Sequence, residues 1–164
     1  MGTLSKQGRV EAVADAPVDA VWNVLVDLTR TGEWSHECQG VEWLGGATHA
    51  EPGARFRGRN RQGRSKWSRQ CEITVVDNQR ALTWRTIPTA IYRDSTDWSI
   101  TLEPIDDGVR TRITQTYHVT KIGPVMDRLF YWIVPAHRDR LAALTEDMKR
   151  LGAIAEVESR SQRA

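Results

Sequence analysis

Val10-Glu11-Ala12-Val13-Ala14-Asp15-Ala16-Pro17, continued through Val21-Trp22, Leu25, Leu28 and Trp34, sets the frame for the rest of the chain. Its alternating first half reads as a strand over 8–14 that stops at an Asp-Ala-Pro step. Proline holds φ near the helical value and lacks only an N–H that a first helical turn leaves unpaired. A helix is therefore expected over 17–28, with Asp15 or Ala16 at its cap. Asp19 falls in the first turn, where the helix dipole favours a carboxylate. Val18, Val21, Trp22, Leu25 and Leu28 recur at three- and four-residue spacing and mark one buried face.

Outward from that step the chain is mostly strand. Residues 29–34 read as a turn or a second short helix broken at Gly32. Strands follow over 41–44, 54–61, 65–76, 81–87, 94–103 and 109–119, separated by turn residues such as Gly45-Gly46, Gln62-Gly63 and Asp106-Asp107-Gly108. The period then changes. Ile122, Met126, Leu129, Ile133, His137, Leu141, Leu144, Met148 and Leu151 keep helical spacing, which predicts one long closing helix interrupted at Pro135. One α+β domain over 8–155 is expected, a meandering antiparallel sheet closed by that helix, with polar termini at 1–7 and 156–164, the latter frayed.

Bulk numbers narrow the function classes. The chain has 164 residues, 40% hydrophobic and 27% charged, as a single globular domain would. A net charge of +2 does not by itself point to nucleic acid. The first ten residues contain no apolar h-region, and no apolar run approaches the ~20 residues of a membrane span, so a soluble, cytoplasmic protein is expected. Cys38 and Cys71 match no metal or redox spacing and read as free thiols.

Strand parity predicts an internal site. Side chains alternate faces, so Trp67, Arg69, Cys71, Ile73 and Val75 share a side, as do Leu82, Trp84 and Thr86. Asp94, Thr96, Trp98, Ile100 and Leu102 form the next set, then Ile113, Gln115, Tyr117 and Val119; Phe56, Gly58 and Asn60 belong to the earlier arm. One end of this inward face is aliphatic, whereas the other is aromatic and polar. A dry core gains nothing from unpaired polar groups, each costing about 1–3 kcal/mol. A pocket with apolar walls and a few orienting groups explains the mixture. A core of internally paired polar residues is the alternative.

The chain resembles the START-like, or SRPBCC, superfamily, and within it the bacterial polyketide cyclase/dehydrase and lipid-transport type. The resemblance rests on the 10–17 run, Val21-Trp22, Glu33-Trp34, Arg80-Ala81-Leu82-Thr83-Trp84, Trp98-Ser-Ile-Thr-Leu-Glu-Pro104 and Gly108-Val-Arg-Thr-Arg-Ile-Thr-Gln-Thr-Tyr117. It implies a helix-grip fold: a curved antiparallel sheet of about seven strands wrapped around a long C-terminal helix. It also implies a hydrophobic cavity for lipids, polyketides or other apolar compounds, with no cofactor.

Phe56, Trp67, Trp84, Trp98, Tyr117, Met126, Phe130 and Ile133 are the expected contact wall, Arg69, Gln115 and His137 the expected polar end, and Thr96 a further ligand-binding candidate. His137 shares the apolar stripe, as a general base or as a core histidine satisfied by Gln115 or Tyr117. Arg69 and Asp94 share the inward parity, to pair with each other or to hold a ligand carbonyl or carboxylate. Tyr117 is either a proton donor or a wall with a wet tip. His36, Cys38, His49 and Glu51 fit no standard metal site. Arg55, Arg57, Arg59 and Arg61 alternate along one arm, which suits a solvated sheet face or an anionic surface or acidic partner. Three functions remain open at this point: an apolar-ligand binder, an aromatase/cyclase-like enzyme, or a regulatory protein working through the basic hairpin.

Overall fold

A computed structural model describes residues 5–133 and 140–164, with side chains omitted at 126, 127, 130, 131 and 133. The chain runs β1 (Gln7–Ala14), α1 (Val18–Val26), a 3-10 turn (Leu28–Arg30), α2 (Thr31–Trp34), β2 (Cys38–Leu44), β3 (Arg55–Gln62) and β4 (Ser65–Asp77). It continues with β5 (Ala81–Thr86), β6 (Ser95–Ile105), β7 (Arg110–Lys121), α3 (Pro124–Ile133) and α4 (Arg140–Arg163). All seven strands form one sheet, ordered β1-β7-β6-β5-β4-β3-β2, with every pair antiparallel. This is the helix-grip α+β fold. The two edge strands, β1 and β2, are consecutive strands in sequence, and the helical segment after the Asp-Ala-Pro step carries the chain from one edge to the other.

That step works differently from the expectation. Pro17 itself, with extended backbone, is the N-cap of α1 and no side chain caps the helix. Asp15 instead donates its backbone N–H to Glu156 Oε1 at 2.9 Å, and Ala16 gives its carbonyl to the buried Thr111 hydroxyl at 2.8 Å. The cap falls at Pro17 and not at Asp15 or Ala16, whose backbone groups are tied to other elements. Val21, Trp22, Val24 and Leu25 are the buried residues of α1. Gly32 does not break α2. A Cβ there would lie 2.6 Å from the Gln39 carbonyl oxygen, so the glycine permits close passage of α2 against the start of β2.

Parity holds along most of the inner face and fails once. The β4–β5 register shifts between Ile73 and Val75, a bulge that turns Val75 outward (44% exposed) and packs Val76 on the core. Ile73, Leu82, Ile100 and Ile113 have no exposed surface, and Met148 and Leu151 of α4 are equally covered. α4 crosses β1 closely at Gly152, where a Cβ would sit 2.9 Å from the Ala14 Cβ.

The closing helical region is described over α3 (Pro124–Ile133) and α4 (Arg140–Arg163), and its apolar stripe is unevenly covered. Leu144, Met148 and Leu151 are buried, but Leu129 and Leu141 are about half exposed. Pro135 lies outside the described residues. The polar tail does not fray: α4 continues to Arg163 because its side chains find partners on the body of the protein. Glu156 takes the Asp15 N–H, and Glu158 pairs with Arg30.

Candidate functional site

Between the sheet and the α1–α2 and α4 segments is a cavity of about 690 Å³. That volume is in the range of pockets that enclose a multi-ring or acyl molecule. The inward parity of β3 to β7 supplies its long wall: Phe56, Trp67, Arg69, Trp84, Thr96, Trp98 and Gln115 all line it. Cross-strand pairing brings Trp84, Trp98 and Tyr117 into one row over three neighbouring strands. The two indoles stack with centroids 6.4 Å apart and planes within 9°, and Trp98 meets Tyr117 at 5.4 Å. Such a row makes a flat, rigid apolar surface.

Tyr117 is not part of the cavity lining. It is buried beside Trp98, and a Cβ at Gly8 would approach its ring within 2.5 Å, so β1 has a glycine where the ring lies across it. The Arg140 guanidinium carbon lies 5.9 Å from the Tyr117 ring centroid. His137 lies outside the described residues, as do the side chains of Met126, Phe130 and Ile133.

The polar groups divide into paired and unpaired. Arg69 Nη1 donates to both Asp94 carboxylate oxygens at 3.1 and 2.9 Å, and Nη2 donates to the Asp94 carbonyl at 3.1 Å. Tyr92 adds its ring face, 5.2 Å from the guanidinium carbon. Arg69 and Asp94 thus pair with each other at the cavity wall. Thr86 accepts the Thr96 N–H at 2.7 Å, closing that position. Trp34 Nε1, Arg69 Nε and Gln115 Oε1 are buried with no hydrogen-bond partner among the described residues. Burying three such atoms is costly unless something else meets them.

Several lining residues escaped the sequence reading. Arg140, on the cavity wall, is held below its ordinary pKa by burial, which outweighs attraction from Glu37 and Asp94. His36 and Asp147 also line the cavity. Asp147 Oδ1 accepts the His36 backbone N–H at 2.8 Å, its Oδ2 lies 2.7 Å from His36 Nδ1, and Arg150 donates to Oδ1 at 2.5 Å. The Asp147 contact raises the His36 pKa above the usual imidazole value, against burial, which lowers it. A carboxylate amid Leu144, Met148 and Leu151 was the available signal, since an acid on a buried stripe needs a partner.

The candidate metal cluster comes apart. His36 goes to Asp147, Cys38 Sγ to the Gly40 carbonyl at 3.5 Å, and His49 to Glu51 at 3.7 Å. Among the described residues no three potential ligands converge. Cys38 and Cys71 are free thiols in the cavity wall, and burial pushes the Cys71 pKa up to about 12. On the outer face Arg55 and Arg57 form cross-strand ion pairs with Glu72 and Glu42 at 2.9 and 2.7 Å. Arg61 bonds the Gly63 carbonyl at 3.1 Å. No helix among the described residues is long and apolar enough to cross a membrane.

Comparison with known proteins agrees with this architecture. The family model described as polyketide cyclase / dehydrase and lipid transport matches residues 7–149. No curated protein matches the chain in sequence. Among solved structures, the Zhui aromatase/cyclase of a Streptomyces species is similar at 18% identity and a TM-score of 0.70, over 92% of this chain and 93% of that one. A protein of Nitrosomonas europaea is similar at 17% identity and a TM-score of 0.65, over 93% and 95% of the two chains. The di-domain ARO/CYC StfQ of the steffimycin biosynthetic pathway is similar at 14% identity and a TM-score of 0.65, over 94% of this chain and 46% of that one.

Proposed function

The chain belongs to the polyketide cyclase/dehydrase and lipid-transport family, and from that premise and its cavity we propose that it binds a hydrophobic small molecule with an oxygen-bearing end. The observation that carries the reading is the lining itself. Stacked Trp84 and Trp98, with Trp67 and Phe56, offer flat apolar contact, whereas Gln115 Oε1, Trp34 Nε1 and Arg69 Nε are buried without partners among the described residues. A ligand of aromatic or acyl body lies against the indoles, with its polar end at Arg69, Arg140 and Gln115. Fixed polar groups of this kind orient a ligand that apolar contact alone would leave free to slide.

The test is a fluorescence titration with anilinonaphthalenesulfonate, an anionic aromatic probe whose emission rises in apolar surroundings. Saturable enhancement with quenching of tryptophan emission is the expected result, and Trp84→Ala weakens the probe by about tenfold, the loss of one aromatic wall. Probe binding that is absent, or unaffected by Trp84→Ala and Trp67→Ala together, refutes the cavity as the site. The basic hairpin is the weaker surface for a working role, since Arg55 and Arg57 already have carboxylate partners.

A further inference from the structure

α3 turns an apolar face outward. Val125, Leu129 and Trp132 are 76%, 45% and 73% exposed. With the exposed Arg128 they occupy the i, i+3, i+4 and i+7 positions of one helix face. A helix packed on a sheet ordinarily buries such a stripe, and an exposed one marks a surface that a partner covers. Its place in the fold says where. Ile122 lines the cavity, and α3 begins just after it at Pro124. Lys6, Gly63, Ser65 and Lys66 line the same cavity while exposed to solvent, and so mark its mouth. Tyr92 is also on the cavity wall, and its neighbour Ile91 is 78% exposed. The outward apolar side chains are therefore gathered on the segments that rim the mouth.

The charge around the mouth selects the partner. Lys6, Arg64, Lys66, Arg93 and Lys121 are exposed on the rim segments, and Arg128 lies within the stripe itself. Residues 62–66, 89–93 and 119–125 include no Asp or Glu. On the outer sheet face, by contrast, Arg55, Arg57, Arg85 and Arg112 are each matched by a carboxylate on the next strand. Two basic mouths repel each other, so a second copy of the chain is a poor cover. A bilayer with anionic lipids offers negative headgroups to the lysines and arginines and, just beneath them, an apolar layer to the stripe. Tryptophan favours that boundary. No described helix is long and apolar enough to cross a membrane, so α3 would lie along the surface. We propose that α3 and the rim of the cavity dock on an anionic lipid bilayer, with Val125, Leu129 and Trp132 at the headgroup–acyl boundary. Docking goes beyond binding in the cavity and uses exposed side chains only. It also presents the mouth to the apolar layer, so an apolar occupant enters without crossing water.

Flotation of the full chain with vesicles tests this, using phosphatidylcholine alone and phosphatidylcholine with one-third phosphatidylserine. The wild-type protein is expected to float with the anionic vesicles, about tenfold less with the neutral ones, and to be released as salt screens the charges. Trp132→Ala, and the pair Lys121→Glu/Arg128→Glu, are each expected to weaken binding by about tenfold. These side chains are exposed, so the variants keep the fold. Arg57→Glu makes the same kind of charge change on the outer face and is expected to alter binding by less than about twofold. No flotation with anionic vesicles, equal flotation with both kinds, or flotation that both mouth variants leave unchanged overturns the docking surface. So does a sedimentation dimer that Trp132→Ala makes monomeric and that does not bind vesicles, since a second copy then covers the stripe. A wild-type chain that takes up anilinonaphthalenesulfonate but does not float overturns docking and leaves the cavity reading standing. One that floats but takes up no probe supports docking and removes the cavity reading.

Discussion

The two ends of the concave sheet face are built from the same strands at the same parity, and they are filled in opposite ways. At one end Ile73, Ile100, Leu102 and Ile113 are 0–5% exposed, and Met148 and Leu151 of α4 complete the core. At the other end Trp67, Arg69, Trp84, Trp98 and Gln115 stand around a cavity of about 690 Å³. The dry end carries the fold, since each buried aliphatic side chain contributes about 1.5–3 kcal/mol. The open end keeps polar atoms without partners among the described residues, an arrangement that stability alone does not favour. The division of labour is therefore along the strands and not between them.

Substitutions at the two ends should separate accordingly. Ile100→Ala leaves a cavity in the dry end and is expected to lower stability by about 2–5 kcal/mol in urea unfolding. A loss no larger than that of Trp67→Ala would break the comparison. Asp94→Ala strands Arg69, whose side chain is 14% exposed, and is expected to cost about 3 kcal/mol. Asp94→Ala with stability unchanged would show that the Arg69 pair is not a structural part of the open end.

The His36–Asp147 contact gives a smaller, pH-dependent effect. The folded-state pKa of His36 is raised, so its stabilisation is fully present below the unfolded value of about 6.5 and is lost as pH rises through the folded value. The Tm difference between wild type and His36→Gln is expected to shrink as pH increases across that window. A difference that grows with pH contradicts the assigned contact. The smallest effect belongs to Arg57→Ala on the outer face, which removes an exposed ion pair with Glu42 and is expected to change stability by under about 1 kcal/mol.

The fold was legible because its signals are periodic. Alternation placed Phe56, Trp84, Trp98 and Gln115 on the inner face, and the structure has all four lining the cavity. Periodicity failed where one residue changes phase: the bulge near Ile73 turned Val75 outward. The site was less legible because its partners are distant in sequence. Nothing local joins His36 to Asp147, and the helix interior that holds Asp147 reads first as an apolar stripe. Tyr117 followed its parity: it is buried, beside the Trp98 indole and across from Gly8 of β1.

The central claim, that the open end of the sheet holds an apolar molecule, is tested most directly by native mass spectrometry of protein purified without added ligand. The account predicts a species heavier than the bare chain by the mass of one small organic molecule, released on denaturation and lost in the Trp67→Ala/Trp84→Ala double variant. A bare chain that stays bare after incubation with aromatic and acyl compounds would contradict it.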